Sequence, residues 1–170
     1  MNYLSYYHSP IGNISIEATE NAITKIHFMD NLVDNLVDNL IENTQGMNKE
    51  SSEIIQKCMQ ELDLYFAGKL KQFTVALQTQ GTDFQKVVWA ELQNIPFGKT
   101  ISYLALARRL GNEKVIRAAG TANGKNPIAI IIPCHRVIGS DGTLVGYAGG
   151  LWRKKQLLDL ENALPKGIFD

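Results

Sequence analysis

The chain has 170 residues, 45% of them hydrophobic and 20% charged, with a formal net charge of zero, a composition that fits a soluble globular protein and excludes a disordered one. No apolar run approaches bilayer-spanning length, and Met1 to Pro10 lacks the basic segment and apolar run of a secretion signal, so a cytoplasmic protein with no membrane partner is expected. Cys58, Cys134, His8, His27 and His135 show no paired metal-ligand spacing, which argues against a metal site or a disulfide.

The balanced charge hides a division. Residues 1–80 hold 5 Lys+Arg against 10 Asp+Glu, whereas residues 81–170 hold 12 Lys+Arg against 7 Asp+Glu. The second half is therefore the one suited to face a polyanion, although a solvated basic surface gives the same count.

In chain order, Tyr3 to His8 and Ile14 to Thr19 alternate like strands around Ser9-Pro10-Ile11-Gly12-Asn13, a hairpin turn, and Ala22 to Phe28 reads as a third strand of an antiparallel meander. From Asp30 to Ile41 a tetrad, Asp-Asn-Leu-Val and lastly Asp-Asn-Leu-Ile, is written three times. Asp and Asn are poor helix formers, so a marginal amphipathic helix and a mobile surface insertion both remain open. From Lys49 to Phe66 apolar residues recur at helical spacing, with Cys58 on the stripe and Gly68 as the stop.

Gln78 to Gly81 reads as a linker, dividing the chain into domains 1–80 and 81–170. Thr82 caps a helix whose stripe includes Phe84, Val87, Val88 and Leu92 and which ends at Pro96-Phe97-Gly98. Ser102 caps a second helix that stops at Gly111, and Asn112 caps a third from Glu113 to about Asn123, together a helix-turn-helix pattern. The third helix is stripped of bulk after Arg117, through Ala118, Ala119, Gly120, Thr121 and Ala122. Such a face suits close approach to a nucleic-acid groove, and it suits tight packing inside a protein equally well.

Asn126-Pro127 breaks that helix, and the strand-like run Ile128 to Ile132 leads to Pro133-Cys134-His135-Arg136. The thiolate is the nucleophilic form of cysteine, and a neighbouring imidazole or cation favours it. A buried core cysteine is the alternative. Downstream, Gly139 to Gly142 is a turn and Gly146-Tyr147-Ala148-Gly149-Gly150 a loop. A last helix, about Leu151 to Asn162, carries Arg153, Lys154 and Lys155 near its start and Glu161 near its end, an order that opposes the helix dipole.

Taken together, Pro96 to Tyr103, Arg117-Ala118-Ala119-Gly120, Asn126-Pro127, Ile132 to Val137 and Gly146 to Leu151 resemble, in order and spacing, the O6-alkylguanine-DNA alkyltransferase family, the methylated-DNA–protein-cysteine methyltransferases. The resemblance covers residues 82–165 in motif. It implies an N-terminal ribonuclease H-like α/β domain and a mostly helical, winged-helix-like C-terminal domain with a helix-turn-helix.

The resemblance also implies the chemistry. Cys134 takes the alkyl group from O6-alkylguanine in a single irreversible turnover, acting without a cofactor and as a monomer on double-stranded DNA. Glu161 orients His135, which draws the Cys134 proton through a water. Tyr103 assists departure of the guanine, and Asn126 bonds backbone near the nucleophile. The base must leave the duplex to be reached. Arg117 would fill the gap, with Ala118, Gly120 and Tyr103 at the minor groove and Val145, Tyr147 and Ala148 lining the guanine pocket. Two positions depart from the pattern: some members carry a hydroxyl residue at the place of Ala148, and small residues at the places of Val115 and Ile116.

Two other readings compete. A papain-type cysteine hydrolase shares the thiol and histidine, but consecutive residues of a strand point to opposite faces, so Cys134 and His135 would need a bridging water. A module that recognises alkylated bases without repairing them would have no use for Cys134.

Overall fold

The computed structural model describes residues 2–30 and 52–164, so the tetrad repeat from residue 31 onward lies outside the described residues. The chain divides into two compact units, Met1–Thr79 and Gln80–Asp170.

In the first unit, strands β1 (Tyr3–Ser9), β2 (Gly12–Ala18) and β3 (Ile23–Phe28) form an antiparallel meander in that order. The register sets Ser9 opposite Gly12 and Tyr3 opposite Ala18, as the Pro-Gly turn requires. Ile14, Ile16 and Ala18 alternate inward on β2. Helix α1 (Glu53–Phe66) packs on β2 and buries Ile55, Cys58, Leu62 and Tyr65, residues three or four apart. It starts later than the periodicity suggests because the Ser52 hydroxyl caps it, accepting from the Ile55 amide. The buried Glu61 accepts from the amide and the hydroxyl of Thr74, tying the segment that follows α1 to the helix.

In the second unit, α2 (Asp83–Leu92) begins with a capping box between Thr82 and Gln85. Its buried face is Val88, Trp89 and Leu92. Val87, expected inside, is 56% exposed, and Phe84 is exposed as well, because the helix turns the Val88 side inward. Strand β4 (Ile101–Ser102) leads into α3 (Tyr103–Arg109), whose cap is the Ser102 hydroxyl accepting from Ala105. The third helix is not continuous: Asn112 caps a 3-10 turn, Glu113–Val115, and α4 proper runs Ile116–Gly124. The Trp89 indole donates to the Ala122 carbonyl at 2.9 Å and locks α2 to α4.

The run before the cysteine is not a strand. Ile128 to Ile132 forms tight turns, Cys134–Arg136 is a 3-10 turn, and β5 (Val137–Ile138) then pairs in parallel with β4. The last helix, α5, is Leu151–Leu160, with Glu161 as its C-terminal cap residue.

Candidate active site

Buried backbone must satisfy its hydrogen bonds, and the connector between α4 and Cys134 does so within itself. The Ile131 amide donates to Ala129 O at 2.8 Å across Ile130, which sits at φ +72°, and the Cys134 amide donates to Ile132 O at 2.8 Å across Pro133. These are two three-residue turns in succession, the first in a conformation that a β-branched residue rarely adopts. Asn126 holds both ends: its amide donates to Ile132 O at 2.7 Å, and its carbonyl accepts from the Ile128 amide at 2.9 Å. Cys134 is thus presented from a turn rather than from a strand.

Around Cys134 the donors and charges face inward. The thiol is 7% exposed, and burial pushes it up; a hydrogen bond from Asn126 and the charge of Lys154 act in the opposite direction without cancelling it. The resting sulfur is therefore a thiol that needs an acceptor for its proton.

His135 and Glu161, 26 positions apart in sequence, meet at 2.5 Å between Nε2 and Oε2, both side chains fully buried. Burial raises the Glu161 carboxyl, but the hydrogen bonds and charges of His135 and Arg136 together outweigh it and hold the group below its usual range. An ionised carboxylate only accepts, so Nε2 carries the hydrogen and Nδ1 is left as the lone-pair nitrogen. Nδ1 is buried and has no protein partner among the described residues. Burial, more than any other influence, holds His135 below its ordinary value, which keeps the imidazole neutral and able to take a proton.

Arg136 and Lys154 complete the cluster; the sequence offers Arg136 only as a cation beside the thiol and gives Lys154 no role, whereas the Arg136 guanidinium turns to Glu161 and Ile95. The Arg136 Nε and Nη2 reach Glu161 Oε1 at 2.6 and 2.5 Å, and Nη1 donates to Ile95 O at 2.6 Å. Lys154 is fully buried and donates to the carbonyls of Val137, Val145 and Gly146 at 2.7, 3.0 and 3.2 Å. Burial brings its ammonium down from 10.5 to about 8, against an opposing pull from Cys134. Lys154 and Arg153 sit near the start of α5 because both point inward, Arg153 donating to Gly149 O at 3.0 Å. The unfavourable dipole order is thus explained by burial contacts; helical phase was the only signal in the sequence that could have separated them from Lys155, which is half-buried.

The remaining expected residues divide into two groups. Tyr103 belongs with the cysteine: its hydroxyl donates to Val145 O at 2.8 Å, the same carbonyl that Lys154 holds, and burial followed by the charge of Cys134 raises its ionisation. Val145 and Ala148 are exposed on that loop and Tyr147 is half-buried. Arg117 and Ala118 lie on the solvent side of α4, away from the buried Ala119, Ala122 and Asn123. A Cβ at Gly120 would meet the Tyr103 ring at 3.6 Å, an ordinary contact, so packing there does not demand glycine.

Residues 2–79 match the family model described as 6-O-methylguanine DNA methyltransferase, ribonuclease-like domain, and residues 83–163 match that of the DNA binding domain. The chain belongs to the 6-O-methylguanine DNA methyltransferase family. It is 43% identical over 161 residues to a methylated-DNA–protein-cysteine methyltransferase of Methanosarcina acetivorans, covering 95% of this chain and 99% of that one. Among solved structures it is similar to Mycobacterium tuberculosis O6-methylguanine methyltransferase, at 36% identity and TM-score 0.76 over the whole of both chains. A structure of Mycobacterium tuberculosis OGT in complex with DNA matches at 37% identity and TM-score 0.77, covering 97% of this chain and 98% of that one.

Proposed function

We propose that this chain repairs DNA by moving the alkyl group of O6-alkylguanine in duplex DNA onto Cys134, once per molecule and after the base has swung out of the stack. The observation that carries this reading is the buried sequence Glu161, His135, Cys134, built on a turn that Asn126 holds rigid. The sulfur attacks the alkyl carbon, the bond between that carbon and O6 breaks, and the electron pair departs with guanine. The thiol proton passes through a water to His135 Nδ1, and the imidazolium so formed is stabilised by Glu161. Tyr103, whose hydroxyl donates to Val145 O on the pocket loop, turns that donor to the leaving base.

The thioether product has no built-in route back, because hydroxide and ordinary thiols do not cleave a carbon–sulfur thioether bond. DNA approaches along the small-residue side of α4, in the minor groove, with Arg117 entering the gap left by the base and Ala118 and Gly120 allowing the backbone near. The 12 to 7 excess of basic residues in 81–170 supplies sequence-independent attraction to phosphate. Val145, Tyr147 and Ala148 receive the guanine, domain 81–170 holds the whole reaction, the protein acts as a monomer, and the reduced cysteines fit a cytoplasmic setting.

Intact-mass spectrometry after incubation with a duplex containing O6-methylguanine tests the proposal. A gain of about 14 Da mapping to the Cys134 peptide, with methyl transferred never exceeding protein on a molar basis, is the expected result. Catalytic turnover, or label on Cys58, would overturn it.

A further inference from the structure

We propose that Arg136 is a positioning residue of the proton relay: by taking one oxygen of Glu161 it leaves the other to His135 and keeps the Glu161–His135 pair free of a proton until Cys134 supplies one. This inference rests on the relay reading above. An arginine beside a DNA-binding surface invites the interpretation of a phosphate contact, but Arg136 is buried and its three donor nitrogens are turned inward, Nε and Nη2 to Glu161 and Nη1 to Ile95 O.

The division of labour at the carboxylate is visible atom by atom. Oε1 receives Nε at 2.6 Å and Nη2 at 2.5 Å, while Oε2 lies 3.4 Å from Nε and 2.5 Å from the imidazole. The guanidinium is fixed in turn by the Ile95 carbonyl and by the Phe97 ring, whose centroid is 5.9 Å away. Gly98, at φ +79°, lets the chain pass so close that a Cβ there would stand 3.2 Å from the Glu161 carbonyl. The Ile95 to Gly98 turn is therefore a socket for the Arg136–Glu161 pair, which gives the Pro96-Phe97-Gly98 motif a task beyond ending α2.

Charge explains the task. With Arg136 in place the buried group Arg136, Glu161, neutral His135 sums to zero, and it can accept the Cys134 proton as an imidazolium. Without the guanidinium the buried carboxylate loses the two contacts made to Oε1, and the pair recruits a proton from solvent before the thiol can offer one. The other groups facing this cluster are Cys134 on the same turn, Lys154 from α5, which disfavours the imidazolium, and Tyr103 from α3, which faces Cys134. The α2 side presents the Ile95 carbonyl and the Phe97 ring.

The test is the pH dependence of Cys134 alkylation, read both with an O6-methylguanine duplex in single turnover and with iodoacetamide, whose reaction needs only the thiolate and no DNA. Rates of Arg136→Met are taken as a ratio to the unsubstituted protein at each pH, so that the Lys154 ionisation common to both cancels. The acid limb should move up by about 1–3 pH units, the ratio starting at about a tenth or less near neutrality and climbing as pH rises. Arg136→Lys, which keeps the charge but not the fork, should shift the limb less. The double variant Arg136→Met/Glu161→Gln, with no carboxylate left to compensate, should be slow throughout but free of the upward shift, and its neutral pair keeps it folded should Arg136→Met not fold. A ratio below one yet flat with pH, or an upward shift persisting in the double variant, would overturn the proposal and make Arg136 a packing residue. Iodoacetamide profiles that shift as expected while the duplex yields no transfer would uphold the relay and refute the repair reading instead.

Discussion

Cys58 and Cys134 are the same side chain, both free and both buried, in two surroundings that ask opposite things of a thiol. Cys58 lies on the apolar stripe of α1, 0% exposed, where burial and then the carboxylate of Glu61 push it up to about 12. Cys134 also feels burial first, but Asn126 and Lys154 act against it, and a neutral imidazole with a bare nitrogen stands in the next position. Burial makes a cysteine inert by default. Reactivity is restored by donors for the thiolate, which Asn126 and Lys154 bring from other elements, and by an acceptor for its proton, which the adjacent His135 offers.

The contrast breaks most completely at the nucleophile itself. Cys134→Ser should abolish methyl transfer from an O6-methylguanine duplex, whereas Cys58→Ser should leave its rate unchanged; equal loss in both, measured by intact mass, would mean that the thiols are not distinguished by their surroundings. Next in size, His135→Ala should slow transfer about a hundredfold or more, because the thiol loses its acceptor while Cys58 reactivity stays as it was. Single-turnover rates decide this, with melting curves to show that the variant is folded.

Lys154 sharpens the contrast through pH. Its folded value is depressed, so between about 8 and 10.5 the unfolded chain holds a proton that the folded chain has released, and this group's contribution to stability rises with pH across that window. The functional sign is opposite: the ammonium that faces Cys134 and clasps the Val145 loop exists only below about 8. Transfer should decline as pH passes about 8, and Lys154→Met should be about tenfold slower with that decline removed. The smallest effect separates access from reactivity. Arg117→Ala should slow repair of duplex DNA roughly tenfold, while iodoacetamide labels Cys134 at the unsubstituted rate. Equal slowing with both reagents would make Arg117 structural.

Local chemistry made much of the fold legible. Ser102, Thr82 and Asn112 each cap where a capping residue precedes an apolar period, and the Pro-Gly turn fixes the first hairpin. Ile128 to Ile132 misleads because apolar β-branched residues suit a buried turn as well as a strand; only the Asn126 clamp, a contact several residues away, decides between them. At the site, Cys134 and His135 are marked by the Ile132 to Val137 motif, and Glu161 by its matching position in the family pattern. Arg136 shares that motif, but its task and that of Lys154 are not legible, because a basic residue reads as solvated until its partners are known, and those partners are mostly backbone carbonyls, which carry no mark in a sequence.

Ile130 shows how little freedom the presenting turn leaves to change. Its positive φ costs a β-branched residue about 1–3 kcal/mol, and burying its side chain, 1% exposed, returns about 1.5–3 kcal/mol. The two nearly offset. Glycine would relax the backbone but empty the space beneath it, and leucine or valine would keep the space filled while retaining the strain. Neither direction offers a clear gain in stability, so a search for hardier variants of this protein should find its improvements elsewhere and leave the approach to the sulfur as it stands.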